Sequence, residues 1–152
     1  MTHTMNPQQF TEFLHRSIPL TIALGARVIE LGDQHVRLTA PLEPNLNHHG
    51  TAFGGSLATL GILAGWVALH HGMERAGVKG SLVVRQTTLD YLRPVTGELV
   101  AESRLPEETW LDFVAALRES RRARIEVCSA LRDSAGDAVR ARGSYIALPS
   151  YG

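Results

Sequence analysis

The chain has 152 residues, 44% hydrophobic and 20% charged, which is enough for one domain with a full core and the mix of an ordinary globular protein. Lys+Arg and Asp+Glu are 15 each, a formal net charge of zero, so no basic excess points to nucleic acid. Cys128 is the one cysteine; this excludes an internal disulfide and a Cys-rich zinc site, and it suits a reducing compartment such as the cytoplasm.

Residues 1–15 include Asn6, Gln8, Gln9 and Glu12, with neither a basic start nor an apolar run, so they do not read as a signal peptide. Asn6-Pro7 reads as an N-cap and first helical position, with Phe10, Phe13 and Leu14 following at helical spacing and Ile18-Pro19 closing the helix. Segments 26–31 and 36–41 are rich in Val, Ile and Leu and flank Gly32-Asp33, a hairpin signal. A polar loop, 43–50, leads into a helix from Gly54 to about Arg75, with Gly72 and Gly77 near the end where a C-cap glycine belongs.

Residues 51–69 carry no charge, about the length of a short membrane span. Their apolar content is diluted by Gly54, Gly55, Gly61, Gly65, Thr51, Ser56 and Thr59, and no Lys/Arg cluster or Trp/Tyr belt flanks them. The segment is therefore expected to be a helix buried in protein, its small residues letting it lie close to a sheet.

Residues 81–92 alternate and contain Val83, Val84, Thr87 and Thr88, the pattern of a long strand. Pro94 and Gly97 turn the chain toward a second strand, 98–104. Pro106-Glu107-Glu108 opens a short helix with Trp110, Phe113, Val114 and Leu117 on one face. Alternation returns at Ala123, Ile125, Val127, Ser129 and Leu131. A turn at 133–137 leads to a last strand, 138–148. No repeat or linker breaks the chain, so residues 1–152 form a single domain in this reading. A charge-free helix must be buried all round. The economical arrangement is an α+β domain in which a curved antiparallel sheet wraps around that long central helix, the hot-dog fold.

The run Asn47-His48-His49-Gly50-Thr51-Ala52-Phe53-Gly54-Gly55-Ser56 resembles the loop-to-helix motif of hot-dog thioesterases. Leu89-Asp90-Tyr91-Leu92-Arg93-Pro94-Val95 is similar to the end of that family's central strand. The pair most resembles the thioesterase family of the YiiD C-terminal-domain type, over roughly residues 20–148. The resemblance implies hydrolysis of an acyl-CoA or acyl-carrier thioester, no cofactor, no metal and no membrane partner. It also implies a homodimer or dimer of dimers. Long strands would join edge to edge over 81–91, with the active site between one subunit's helix entry and the partner's strand. A long unpaired strand edge gives an independent physical reason for such pairing.

Thioester hydrolysis needs a polarised carbonyl, an oriented water and a proton acceptor. Gly54, Gly55 and Ser56 enter the helix, where the first N–H groups lack internal partners and can hold a developing oxyanion. Glycine there admits close approach, although two glycines also simply permit a tight turn. Asn45, Asn47, His48 and His49 lie just upstream. An amide can orient a water, and an imidazole changes charge near neutral pH; the same residues also suit a surface turn. Asn47 and His48 are the preferred pair, with Gly55 as the oxyanion contact. Thr51, Phe53, Gly54 and Ser56 are candidate substrate contacts, Ser56 as a helix-start hydrogen bonder because no Ser-His-Asp set is evident.

Two departures from the family pattern matter. Many hot-dog thioesterases resemble one another in a catalytic Asp or Glu about two turns into the helix, yet 59–65 contains no carboxylate. Phe53 stands where a His usually precedes the Gly-Gly pair. Asp90 is the one carboxylate within the motifs, a candidate base or else an ion-pair partner of Arg93 or Arg85. Those two arginines could also meet CoA phosphates, or be solvated surface charges. Two further functions remain open: a hot-dog hydratase or dehydratase, disfavoured by the missing helical carboxylate, and a non-catalytic acyl-CoA-binding or sensing module.

Overall fold

The structure, a computed structural model, describes residues 3–150. Helix α1 (Pro7–Ser17) starts as its sequence dictates. The Asn6 side chain accepts from the Gln9 N–H at 2.8 Å, and the Gln9 side chain accepts from the Asn6 N–H at 3.0 Å. This capping box satisfies two otherwise orphaned donors. Helix α2 (Leu20–Leu24) follows at once, ending at Gly25 in the left-handed region with φ 73°. The sequence reading had no helix here: Pro19 closes α1 but also opens this short second helix.

Strands β1 (Arg27–Leu31) and β2 (His35–Ala40) form the expected hairpin. Helix α3 (Gly54–Ala76) comes next and ends at Gly77, φ 68°. It is followed by β3 (Gly80–Tyr91), β4 (Leu99–Arg104), α4 (Glu107–Arg118), β5 (Ala123–Asp133) and β6 (Gly136–Pro149). The six strands make one curved antiparallel sheet in the order β1-β2-β4-β5-β6-β3. The segment after β3 therefore crosses from one edge of the sheet to its middle instead of closing a hairpin with β4.

The sheet wraps α3, which packs against β2, β3, β4, β5 and β6. Leu57, Leu60, Ala64, Val67 and Leu69 are buried along it. Burial is not complete all round, contrary to expectation: Thr59, Ile62, Trp66 and His70 form a half-buried stripe. The C-terminal half of that stripe lies under α1, with Trp66 stacked on Phe13 (6.3 Å between centroids) and on His70 (4.8 Å). Nothing comparable covers Thr59 and Ile62 among the described residues.

Gly72, the other glycine near the helix end, is interior: a Cβ there would meet Leu105 and Trp110 at 2.8 Å. Gly65 has a similar role. A Cβ would stand 2.4 Å from the Tyr145 hydroxyl, which donates to the Ile62 carbonyl at 2.7 Å. Tyr145 is 2% exposed, and burial pushes its pKa up. Gly65→Ala is thus expected to destabilise the fold by about 1–3 kcal/mol through overpacking. A thermal melt should show a drop of several degrees; an unchanged midpoint would mean that Tyr145 relaxes freely.

The two sheet edges differ. On β1, Thr11 of α1 accepts from the Val28 N–H at 2.9 Å and covers the edge. On β3 the Trp66 indole N–H donates to the Leu82 carbonyl at 3.1 Å, and Val83 and Val84 just beyond are 50% and 43% exposed. The pairing of β3 with β6 slips between Val84 and Gln86, leaving Arg85 as a bulge residue. Side chains alternate along a strand, so the bulge exchanges faces: Leu82 and Val84 face α3 before it, and Thr87, Leu89 and Tyr91 face α3 after it.

Candidate functional site

The N-terminus of α3 opens beside a cleft of about 350 Å³ lined by Leu20, Ala23, Leu24, Pro44, Asn45, Phe53, Gly55, Ser56 and Thr59. Phe53, the N-cap, supplies no side-chain hydrogen bond to the helix, so the first-turn N–H groups keep their positive potential uncapped. The backbone around them is held firmly. Phe53 N–H donates to the Asn45 carbonyl at 2.7 Å, and Ala52 N–H donates to the Val95 carbonyl at 2.8 Å. From the other side the Tyr91 hydroxyl donates to the Gly54 carbonyl at 2.9 Å, tying the end of β3 to the helix entry. The motifs 47–56 and 89–95 thus meet in space.

Asn45 is 3% exposed, and its Nδ2 donates to the Leu24 and Pro41 carbonyls at 2.9 and 2.7 Å. With both donors engaged, the amide's orientation is set and its Oδ1 takes no hydrogen bond from the described residues. Asn47 differs. Its Nδ2 donates to the Thr51 hydroxyl at 2.8 Å, and its Oδ1 accepts from the N–H groups of His49 (2.8 Å) and Thr51 (3.1 Å). In this structure that amide ties the turn, its nitrogen and its oxygen both engaged. Thr51 is its partner. His48 and His49 are exposed on the turn, their tilted rings 3.8 Å apart, and neither lines the cleft. Of the expected contacts, Asn45, Phe53, Gly55 and Ser56 line it, while Gly54 packs beneath Tyr91.

Asp90 lies apart from this cleft. The Arg85 bulge turns it to the outer face of the sheet, opposite Arg140, while its neighbour Tyr91 faces the helix entry. Asp90 therefore points away from the cleft of its own chain. Nor does it pair with Arg93 or Arg85. Arg93 instead grips Asp133 with both terminal nitrogens, at 2.6 Å for Nη1, and also reaches the Gly136 carbonyl. The Arg93 hydrogen bonds, helped by the Ala135 N–H, hold the Asp133 carboxyl below its ordinary pKa. Arg93 is thus engaged in fastening the β5–β6 turn, whereas Arg85 is exposed at the bulge. No metal-binding group of His, Cys, Asp or Glu exists among the described residues.

Three features of the site were missed in the sequence: Tyr91 as an anchor of the helix entry, the Thr59 hydroxyl bonded to the Gly55 carbonyl at 2.8 Å, and the α2 wall of the cleft. Leu20 and Ile22, 61% and 60% exposed, gave a faint signal, being apolar residues between two chain breakers.

A curved sheet around a long helix whose uncapped, glycine-bearing start opens into a cleft defines a hot-dog domain of the thioesterase type. The chain belongs to the family described as "Putative thioesterase (yiiD_Cterm)", whose family model matches residues 7–149. Among solved structures it is similar to a protein from Shewanella oneidensis described as a "putative thioesterase" (25% identity, TM-score 0.87, covering 94% of this chain and 97% of that one). It is also similar to a protein of unknown function from Chlorobaculum tepidum (27% identity, TM-score 0.89, covering 97% and 99%). A Pseudomonas aeruginosa protein described as a "Probable Thioesterase" has 25% identity and a TM-score of 0.79, covering 97% and 99%. No helix of the described residues is long and apolar enough to cross a membrane.

Proposed function

We propose that this protein hydrolyses an acyl thioester of CoA or an acyl carrier, in the cytoplasm and without a cofactor, the whole chain acting as one hot-dog domain. The observation that carries the reading is the uncapped start of α3 facing a cleft. There the N–H groups of Gly55 and Ser56 polarise the thioester carbonyl and then hold the oxyanion. Asn45, its Nδ2 fixed and its Oδ1 free, accepts a hydrogen bond from the attacking water. Gly54 packs beneath the Tyr91 ring, and Asn47, Thr51 and Tyr91 keep the entry in place. The proton passes by way of solvent to an imidazole of the 48–49 turn, which stands outside the cleft of its own chain. As the tetrahedral intermediate collapses, the thiolate leaves and takes up a proton.

The test follows free-thiol release from a panel of acyl-CoAs of different lengths. Multiple turnover is expected; stoichiometric binding without turnover would instead make the protein a binding or sensing module.

The active unit is a homodimer, or a dimer of dimers, joined along β3. The support is that β3 is an edge strand, paired on one side alone, with exposed valines beyond the single Trp66 contact at Leu82. Sedimentation at micromolar concentration is expected to give a dimer or larger. A single 16.6 kDa species would overturn this part. Pairing along β3 brings the partner's strand, with Arg85 at its bulge, toward the helix entry, where Arg85 can meet a CoA phosphate.

A further inference from the structure

Phe53 occupies a position that its exposure alone does not account for. Its backbone is pinned at both ends: the N–H donates to Asn45, and the carbonyl accepts from the Leu57 N–H at 3.1 Å. Its ring, however, is 56% exposed. The ring lies where a side chain of residue 55 would begin, since a Cβ on Gly55 would be 2.4 Å from its Cε2 and 2.9 Å from its Cζ. In a helix the Cα–Cβ bond leans toward the N-terminus, the end from which the free N–H groups emerge. The ring therefore stands beside the carbonyl-binding position, and the glycine at 55 makes room for it.

Across the cleft stand Leu20, Ala23 and Leu24 of α2, and no titratable side chain lines it. The hydroxyl of Thr59, a polar lining group, is already engaged by the Gly55 carbonyl. An exposed ring sharing the cleft with exposed Leu20, above buried Leu24, is an apolar surface without a cover among the described residues.

We propose that Phe53 is the specificity-determining residue of the cleft: its ring and the α2 wall clasp an uncharged aliphatic acyl chain, so the protein selects thioesters by apolar chain length and rejects acyl groups ending in a charge. This rests on the helix entry being the acyl-thioester site. A chain so clasped gains about fourfold in affinity per buried methylene until the cleft, at the small end of ligand pockets, is full.

The experiment measures binding of non-hydrolysable S-alkyl-CoA thioethers of increasing chain length by titration calorimetry. The same acyl-CoAs, with succinyl-CoA as the charged case, are followed by thiol release. For the unaltered protein Kd is expected to fall steeply with chain length and then level off, and succinyl-CoA is expected to be a poor substrate. In Phe53→Ala the dependence per methylene should drop below twofold, and Phe53→Leu should restore most of it. A Phe53→Ala slope equal to that of the unaltered protein, or a uniform loss at every length, overturns the inference. If no thioester is turned over but the thioether series keeps its Phe53-dependent slope, the hydrolytic reading fails while this one stands.

Discussion

Gly55→Val is expected to reduce thioester hydrolysis by 10² to 10³-fold while leaving the fold intact. The substitution acts in two ways at one place. A branched side chain at the second helical position stands in front of the N–H groups that would hold the oxyanion, and loss of one such donor costs about 3–4 kcal/mol of barrier. It also meets the Phe53 ring, which a Cβ would approach to 2.4 Å, and drives that ring out of the cleft. Folding is spared because residue 55 is exposed and the ring it displaces is free to turn into solvent. The measurement is kcat/KM on the best acyl-CoA, beside a thermal melt and a sedimentation run. Turnover at the unaltered rate in a folded protein would remove the start of α3 from the mechanism. Gly55→Ala, with only the Cβ, should fall between the two.

His48→Ala is expected to lower the rate by about 10² to 10⁴-fold and to flatten the acid limb of the pH–rate profile, as loss of a proton-accepting imidazole does. Asn47→Ala should lower the rate by loosening the turn that Asn47 ties through Thr51 and His49, yet leave the shape of the profile alone, because an amide does not titrate. Asp90→Asn is the control. On the outer face opposite Arg140, Asp90 should tolerate the change with activity within a few-fold. If Asp90→Asn alone abolishes hydrolysis in a well-folded oligomer while the loop variants stay active, the imidazole assignment is wrong. The carboxylate of β3 would then be acting on a cleft other than its own.

Much of the candidate site was legible because its signals are local. Two glycines after a polar loop, at the mouth of a helix with no charge before Glu74, mark an uncapped helix start wherever the rest of the chain goes. The roles of the side chains around it were less legible. Asn45 and Asn47 are two residues apart and chemically identical. Which one keeps a free oxygen depends on where Leu24, Pro41 and Thr51 come to lie. Phe53 read as a departure from a motif; its ring acquires meaning only from the empty space above Gly55.

The same division runs through the whole chain. Sequence alone determined the elements whose causes lie within a few residues. Asn6 and Gln9 cap α1, Gly32-Asp33 turns the first hairpin, and Gly77 stops α3 with a positive φ. The alternation of 123–131 declares which face of β5 is buried. Tertiary structure alone decided what depends on pairing between distant strands. Backbone hydrogen bonds carry no side-chain signature, so nothing in the sequence sends β3 to the edge beyond β6. Arg93 finds Asp133, 40 residues away, because the crossing segment after β3 passes the β5–β6 turn. A strict period of two along β3 cannot register the single extra residue at Arg85. Yet a one-residue slip moves every later side chain to the opposite face of the sheet, and that slip sets Tyr91 against the helix entry and turns Asp90 away from it.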